Sequence, residues 1–150
     1  MRSILTHNQC IQLLQSETVG RIGYTKENNV YIVPISYALD DKYIYAQSPE
    51  GAKLQFMRKN KNVCFQVERI ENMINWRSVV VQGTFEELKT EKNIVYASEL
   101  LSERLEPFAH RQVTKIASRT KETATPEKRL RTVFFRIKLL EISGRYEKSE

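Results

Sequence analysis

Near the C-terminal end, Val133, Phe135, Ile137 and Leu139 alternate with Phe134, Arg136 and Lys138. A side-chain period of two marks a β-strand with one face toward a core. The same period recurs where Val63, Phe65 and Val67 alternate with Cys64, Gln66 and Glu68. β-Branched and aromatic residues also crowd Val19 to Thr25, Val30 to Ala38, Tyr43 to Gln47 and about Trp76 to Glu86, which predicts further strands. Glu27-Asn28-Asn29 and Leu39-Asp40-Asp41-Lys42 read as turns between them, and tight turns imply antiparallel neighbours. Pro34 has no N–H to give to a ladder, so its strand should be an edge, carry a bulge, or lie where the ladder opens. About six strands with few helices predict a mainly β fold, a small β-barrel with peripheral helices.

The helical signals are fewer. Thr6-His7-Asn8-Gln9 reads as a capping box, with Thr6 as N-cap and Gln9 three residues on. Cys10, Leu13 and Leu14 then follow at helical spacing. Ala52 to Lys59 predicts a short helix with Leu54 and Met57 or Phe56 inward, ended by Asn60-Lys61-Asn62. Ile94, Ala97, Leu101 and Leu105 predict a longer helix near 91–104. Residues 106–130 read as a loop with one helical turn, and Gly144 as the end of the last strand.

A chain of 150 residues with 41% apolar content suits one domain that needs no disulfide or metal staple. No run approaches the ~18 apolar residues of a membrane helix. His7, Asn8 and Gln9 interrupt the place where a secretion signal needs its apolar stretch, which predicts a cytoplasmic protein. Cys10 and Cys64 each sit in an apolar pattern, as buried free thiols do. With only two histidines, no metal site is expected. Much of the net charge of +6 falls in Arg104 to Arg131, where eight Lys and Arg face three Glu. Such a segment is either a solvated face or an attractor of nucleic acid or phosphorylated ligands.

Gly-x-Ser-x-Gly, Walker and Rossmann patterns are absent, and the carboxylates form no paired motif. One segment does carry chemistry: Ser48-Pro49-Glu50-Gly51-Ala52-Lys53 joins a predicted strand to a predicted helix. A helix N-terminus presents backbone N–H groups suited to a phosphate. Ser48 can add a hydroxyl, Lys53 a charge, and Gly51 room for close approach. The same residues also suit an ordinary helix start, with Ser48 or Glu50 capping the first turn. Two other stretches combine polar and aromatic groups on strands: Val33-Pro34-Ile35-Ser36-Tyr37 and Asn75-Trp76-Arg77-Ser78-Val79-Val80-Val81-Gln82-Gly83. Trp76, the sole tryptophan, suits a core or interface anchor as well as a ligand platform.

In their order and spacing these stretches resemble the FMN-binding split-barrel superfamily, nearest to the pyridoxamine 5'-phosphate oxidase-like proteins that include nitroimidazole-resistance (Nim-type) flavoproteins. The likeness runs from about Val19 to Arg145. It also rests on Val19-Gly20-Arg21-Ile22-Gly23, Ile44-Tyr45-Ala46-Gln47-Ser48, Gly51-Ala52-Lys53-Leu54 and Asn60-Lys61-Asn62-Val63-Cys64-Phe65. The resemblance implies a six-stranded antiparallel split barrel, a homodimer, and FMN in clefts at the subunit interface. It implies that Lys53 meets the FMN phosphate and that Ser48 shares the phosphate turn. Pro34, Ile35 and Ser36 would run along the isoalloxazine ring, and Ser78 would touch the flavin. Trp76 and Arg77 would lie near the second subunit's edge of the cleft. Gln47 stands where Nim-type relatives often carry histidine, and glutamine is no general acid near neutral pH. Arg145 is the one candidate for a C-terminal substrate-binding arginine.

A cleft lined by Val33, Ile35 and Trp76 would suit a flat ring. Three functions follow: an FMN-dependent oxidoreductase of small molecules, a non-catalytic flavin or haem carrier on the same fold, or a nucleic-acid-binding barrel. The last, the least favoured, would use the basic segment with Tyr24, Tyr31, Tyr37, Tyr43 and Tyr45 as stacking platforms.

Overall fold

The computed structural model describes residues 1–123 and 131–150, with side chains over 1–107 and 131–150. In chain order the elements are β1 (Arg2–Ile4), α1 (His7–Ser16), β2 (Val19–Lys26), β3 (Asn29–Ser36), β4 (Ala38–Leu39), β5 (Tyr43–Pro49), α2 (Ala52–Lys59), β6 (Asn62–Asn72), β7 (Asn75–Glu87), α3 (Glu91–Thr123) and β8 (Thr132–Glu147). Six strands are seven residues or longer, as expected, and the short β1 and β4 are added to them.

All the strands join one antiparallel sheet in the order β3-β2-β6-β7-β8-β5-β4, with β1 on β8. The sheet curls because its two ends are nearly one strand. β3 and β4 are separated only by Tyr37; the β3 half pairs with β2, and the β4 half pairs with β5. Ile22 and Ile35 from one end of the order therefore share a core with Ile44 and Ala46 from the other, together with Phe65, Val81 and Ile137. This is a split barrel. Pro34 lies on β3, which pairs with β2 alone, so it occupies the edge its missing N–H requires.

The capping box forms as read: the Gln9 backbone N–H donates to Thr6 Oγ1 at 3.2 Å, and the Thr6 N–H donates to Gln9 Oε1 at 2.8 Å. Cys10, Leu13 and Leu14 are buried on the inner face of α1. Tyr37 anchors the bend to this helix. Its backbone N–H donates to the Thr18 carbonyl at 3.0 Å, and its phenol donates to the Leu14 carbonyl at 2.5 Å. Its ring meets Phe65 edge-on at 4.9 Å.

Two expectations are corrected. Gly144 does not end the last strand, because β8 continues to Glu147. Gly144 pairs with Val79 beneath α1, where a Cβ would lie 2.6 Å from Cys10 Sγ and 2.9 Å from Leu5 Cδ1. The glycine makes room for a helix and interrupts nothing. Second, α3 runs through Pro107 to Thr123, well past position 104. Apolar spacing fades after Leu105, but Ala, Gln, Lys and Arg still favour helix there. The remainder of that stretch, 124–130, lies outside the described residues.

α3 docks on the sheet through Asp40. Its carboxylate accepts from the Lys42 and Tyr43 backbone N–H groups at 2.9 Å each and from the Tyr45 and Tyr96 phenols at 3.0 Å each. Burial alone would raise this carboxyl, but the four donors outweigh it and hold it below its usual value. A depressed carboxyl stabilises the fold above its unfolded pKa of about 3.9, and that stabilisation is lost as pH falls through the lower folded value. Asp40→Ala should therefore lower the melting temperature at neutral pH, by about 1–3 kcal/mol of stability. The gap between variant and wild type should narrow as pH falls below the unfolded value of about 3.9; a gap that is the same at every pH would show that the charge plays no part.

Candidate functional site

The sheet's split creates the site. β3 and β5 diverge from the junction at Tyr37, so the free edge of β3 and the free edge of Gln47 to Pro49 border one opening. Pro34 and Ser36 lie on one side of it. Gln47, Ser48, Gly51 and Lys53 lie on the other, where β5 turns into α2.

That turn is not an ordinary capped helix start. Gly51 is the N-cap residue, and no side chain caps it. Ser48 is buried and donates to the adjacent Pro49 carbonyl at 3.3 Å. Glu50 faces away: Arg58 Nη1 and Nη2 grip its two oxygens at 2.5 and 2.8 Å. Arg58 also meets Glu87 Oε1 at 2.5 Å. The Arg58 hydrogen bond holds the Glu50 carboxyl below its usual range. The backbone N–H groups of Ala52, Lys53 and Leu54 have no acceptor among the described residues, and the first such bond of α2 is from Gln55 to Gly51 at 3.3 Å. A Cβ at Gly51 would meet nothing nearer than the Pro49 carbonyl at 4.0 Å. Neither backbone conformation nor packing calls for glycine there, so the position is open toward the outside.

Lys53 is half-buried and makes no ion pair among the described residues. Burial pushes its ammonium below the ordinary lysine value. A half-buried cation beside three N–H donors without an acceptor among the described residues, with Glu50 held by Arg58, is chemically suited to an anion such as a phosphate.

The other expected residues lie elsewhere. Ile35 is buried in the core and Val33 packs against it, so their side chains line no cleft and only the β3 backbone can border a ring. Trp76, Arg77 and Ser78 are half-buried on β7. In the sheet order β7 stands three strands from β3. Ser78 pairs with Arg145 and Glu87 with Phe135, so about nine residues, roughly 30 Å of extended strand, separate Ser78 from the turn's end of the barrel. One chain does not bring Trp76–Ser78 to Lys53. Trp76 Nε1 donates to Glu147 Oε2 at 3.1 Å, beside a concavity of about 280 Å³ that Arg69, Arg77 and Lys148 also line. Arg145 is exposed.

Two contributors went unread in the sequence. Arg58, one of several basic residues after Lys53, shows its role only once Glu50 is placed beside it. Gln66 is an alternating polar position whose partner depends on sheet register. Its Nε2 donates to Ser78 Oγ and to Glu68 Oε2, each at 3.0 Å, and Arg21 Nη1 holds Glu68 Oε1 at 2.8 Å.

Of the five tyrosines read as stacking platforms, only Tyr31 is exposed. Tyr24, Tyr37 and Tyr45 are buried, and Tyr43 lies under Arg136, whose guanidinium carbon is 3.9 Å from its ring. Tyr31 is exposed but stacks on Tyr24 at 5.5 Å. In the basic segment, Arg104 Nη2 donates to the Gln15 and Glu17 carbonyls, fastening α3 to the end of α1. The segment's side chains from 108 to 130 lie outside the described residues. Cys10 is buried and Cys64 half-buried, both free. No cluster of metal-ligating groups occurs among the described residues, and no described helix is long and apolar enough to cross a membrane.

A family model described as pyridoxamine 5'-phosphate oxidase matches residues 6–146. The chain belongs to this family. Solved structures agree with the pyridoxamine 5'-phosphate oxidase assignment. An FAD-binding protein of Mesorhizobium loti is 28% identical with a TM-score of 0.74, covering 99% of each chain. A candidate pyridoxamine 5'-phosphate oxidase of Corynebacterium glutamicum is 25% identical with a TM-score of 0.72, covering 99% of this chain and all of the other. A candidate 5-nitroimidazole antibiotic resistance protein of Bacteroides thetaiotaomicron shares the fold, with a TM-score of 0.73 at 14% identity over 97% and 87% of the two chains. An uncharacterized protein of Rhizobium meliloti is 31% identical over 85 residues, 57% of this chain; the match spans only 56% of that relative's length.

Freeing Glu50 should damage the anion site. Arg58→Ala should weaken binding of a phosphate monoester several-fold, roughly three- to tenfold, as a nearby surface charge does. Glu50→Gln should bind at least as well as wild type. Isothermal titration at low salt checks both, and equal affinities in all three proteins would refute the reading of the turn.

Proposed function

We propose that this protein is a flavoprotein that holds FMN by its phosphate at the β5–α2 turn and acts as an oxidoreductase on small molecules. One observation carries the reading: half-buried Lys53, without an anionic partner among the described residues, stands at an uncapped helix start whose adjacent carboxylate, Glu50, is bound by Arg58. The family supports a flavin as the phosphate's bearer, as does the FAD-binding relative from Mesorhizobium loti.

In this arrangement Lys53 and the N–H groups of Ala52, Lys53 and Leu54 bind the phosphate, while Ser48 and Gln47 border the cleft. The backbone around Pro34, Ile35 and Ser36 flanks the ring. The flavin supplies the hydride and electron chemistry, and the protein binds and orients it. Trp76, Arg77 and Ser78 join the site in a homodimer, where a second copy brings β7 to the opening. Exposed apolar residues support that assembly: Val30 and Ile32 on the free-edge strand, and Ile70, Met73 and Ile74 at the β6–β7 hairpin. An isolated sheet edge with apolar side chains favours a partner.

A second reading, a flavin carrier without turnover, is favoured by Gln47. It is an exposed amide beside the turn, where a proton donor for the substrate would otherwise be expected. Oxidation of a reduced nicotinamide with a nitro compound or quinone as acceptor separates the two readings: turnover supports the enzyme, and bound flavin without turnover supports the carrier.

Wild-type protein should bind FMN, read by quenching of flavin fluorescence, and sediment as a dimer. Lys53→Ala should weaken binding by about 10–100-fold, the loss expected for one charged hydrogen bond. Gly51→Ala should weaken binding while leaving the melting temperature unchanged. Affinity should be flat near neutral pH and fall as pH rises through the lowered lysine value, earlier than a surface lysine near 10.4 would give. FMN affinity unchanged by Lys53→Ala would sink the phosphate assignment.

A further inference from the structure

The hydroxyl of Ser78 has a defined direction. Glu68 is a carboxylate that only accepts, and Arg21 Nη1 already holds one of its oxygens at 2.8 Å. Gln66 must therefore turn its NH₂ group toward Glu68, which settles which end of the amide is nitrogen. The other N–H of that group donates to Ser78 Oγ at 3.0 Å. Ser78 thus accepts from within the protein, and its own proton has no acceptor among the described residues. The chain Arg21, Glu68, Gln66, Ser78 ends in a donor that faces away from the core.

These residues share the outer face of the sheet. Pro34 pairs with Arg21, Arg21 with Gln66, Gln66 with Val80, and Glu68 with Ser78. Inward neighbours on the same strands, Ile22, Phe65, Val67 and Val79, are fully buried. A ligand lying on this outer face meets Ser78 as an oriented hydroxyl, not a free rotor.

We propose that Gln66 is a positioning residue: it commits Ser78 to donate its proton to an acceptor on the pyrimidine edge of the flavin ring and so favours the reduced flavin. The inference rests on the flavin reading above. The pyrimidine edge carries carbonyl and imine acceptors, and reduction by two electrons and one proton leaves negative charge there. A donor at that edge strengthens as the charge appears, whereas an acceptor would oppose it.

The test measures the full-length protein's affinity for oxidised FMN by fluorescence and the midpoint potential of the bound flavin against a reference dye, without oxygen. Gln66→Glu replaces the donor by a carboxylate, which turns the Ser78 proton inward. Gln66→Glu and Ser78→Ala should each lower the ratio of reduced-to-oxidised affinity by about five- to tenfold; tenfold is about 30 mV for a two-electron couple. Ser78→Thr, which keeps the hydroxyl, should stay near wild type. In a Ser78→Ala background, Gln66→Glu should add only the small effect of its charge. Should Gln66→Glu fail to fold, Gln66→Leu removes the donor without adding charge, and its shift should lie between wild type and Ser78→Ala. An unchanged ratio in the Gln66 variants, or a full Gln66→Glu effect without Ser78, overturns this proposal while leaving the flavin reading intact. A wild-type protein that binds no FMN overturns both.

Discussion

The architecture depends on how Tyr37 is held. A single residue separates the strand that pairs with β2 from the one that pairs with β5. Its phenol is fully buried, hydrogen-bonded to the last turn of α1, and its N–H bonds to Thr18. Burial first, and then the negative charge of Glu17, push the phenol well above the ordinary tyrosine value, so it stays a neutral donor. With the bend fixed, the sheet must curl, because its first and last members belong to one segment. The edges of β3 and β5 must also part, and the opening between them is where the Ser48–Lys53 turn lies.

Electrostatics then divides that surface by task. Four arginines at the sheet ends are engaged by carboxylates: Arg58 by Glu50 and Glu87, Arg136 by Glu86, Arg69 by Glu17, Arg2 by Glu147. Exposed pairs of this kind add little stability, but they remove charges from play. Arg58 is the instructive one, because its contribution to the turn is to remove a negative charge. Lys53 is half-buried, at a cost in solvation that a bound anion would offset.

Much of the fold was legible because its signals are local. The capping box at Thr6, the alternation in β6 and β8, and the turns at 27–29 and 39–42 each depend on residues within one or two turns of chain. Pro34 marked an edge, a bulge or an opened ladder for the same reason, and the structure selects the edge. The failures share a different origin. Gly144 reads as a terminator in sequence, yet its role comes from Cys10 and Leu5, more than a hundred positions away. The continuation of α3 was hidden because its later residues lack apolar spacing, although they favour helix. The candidate site was legible in pieces. The residue types of the Ser48–Lys53 turn suited a phosphate or a capped helix start alike, until the structure gave Ser48 and Glu50 other partners. Arg58 and Gln66 carried no signal, since their meaning lies in the groups placed beside them.

The sequence by itself determined the strand periods, the short helices, the break that Pro34 makes in a ladder and the chemical character of Ser48–Lys53, because each follows from backbone sterics or side-chain period over a few residues. Only the tertiary structure decided that β3 and β4 are one bent strand, that Glu50 is held by Arg58, and that Trp76–Ser78 stand on a different wall from Lys53. Those outcomes depend on sheet register and curvature, which are set by packing between residues far apart in the chain. No local pattern encodes that packing.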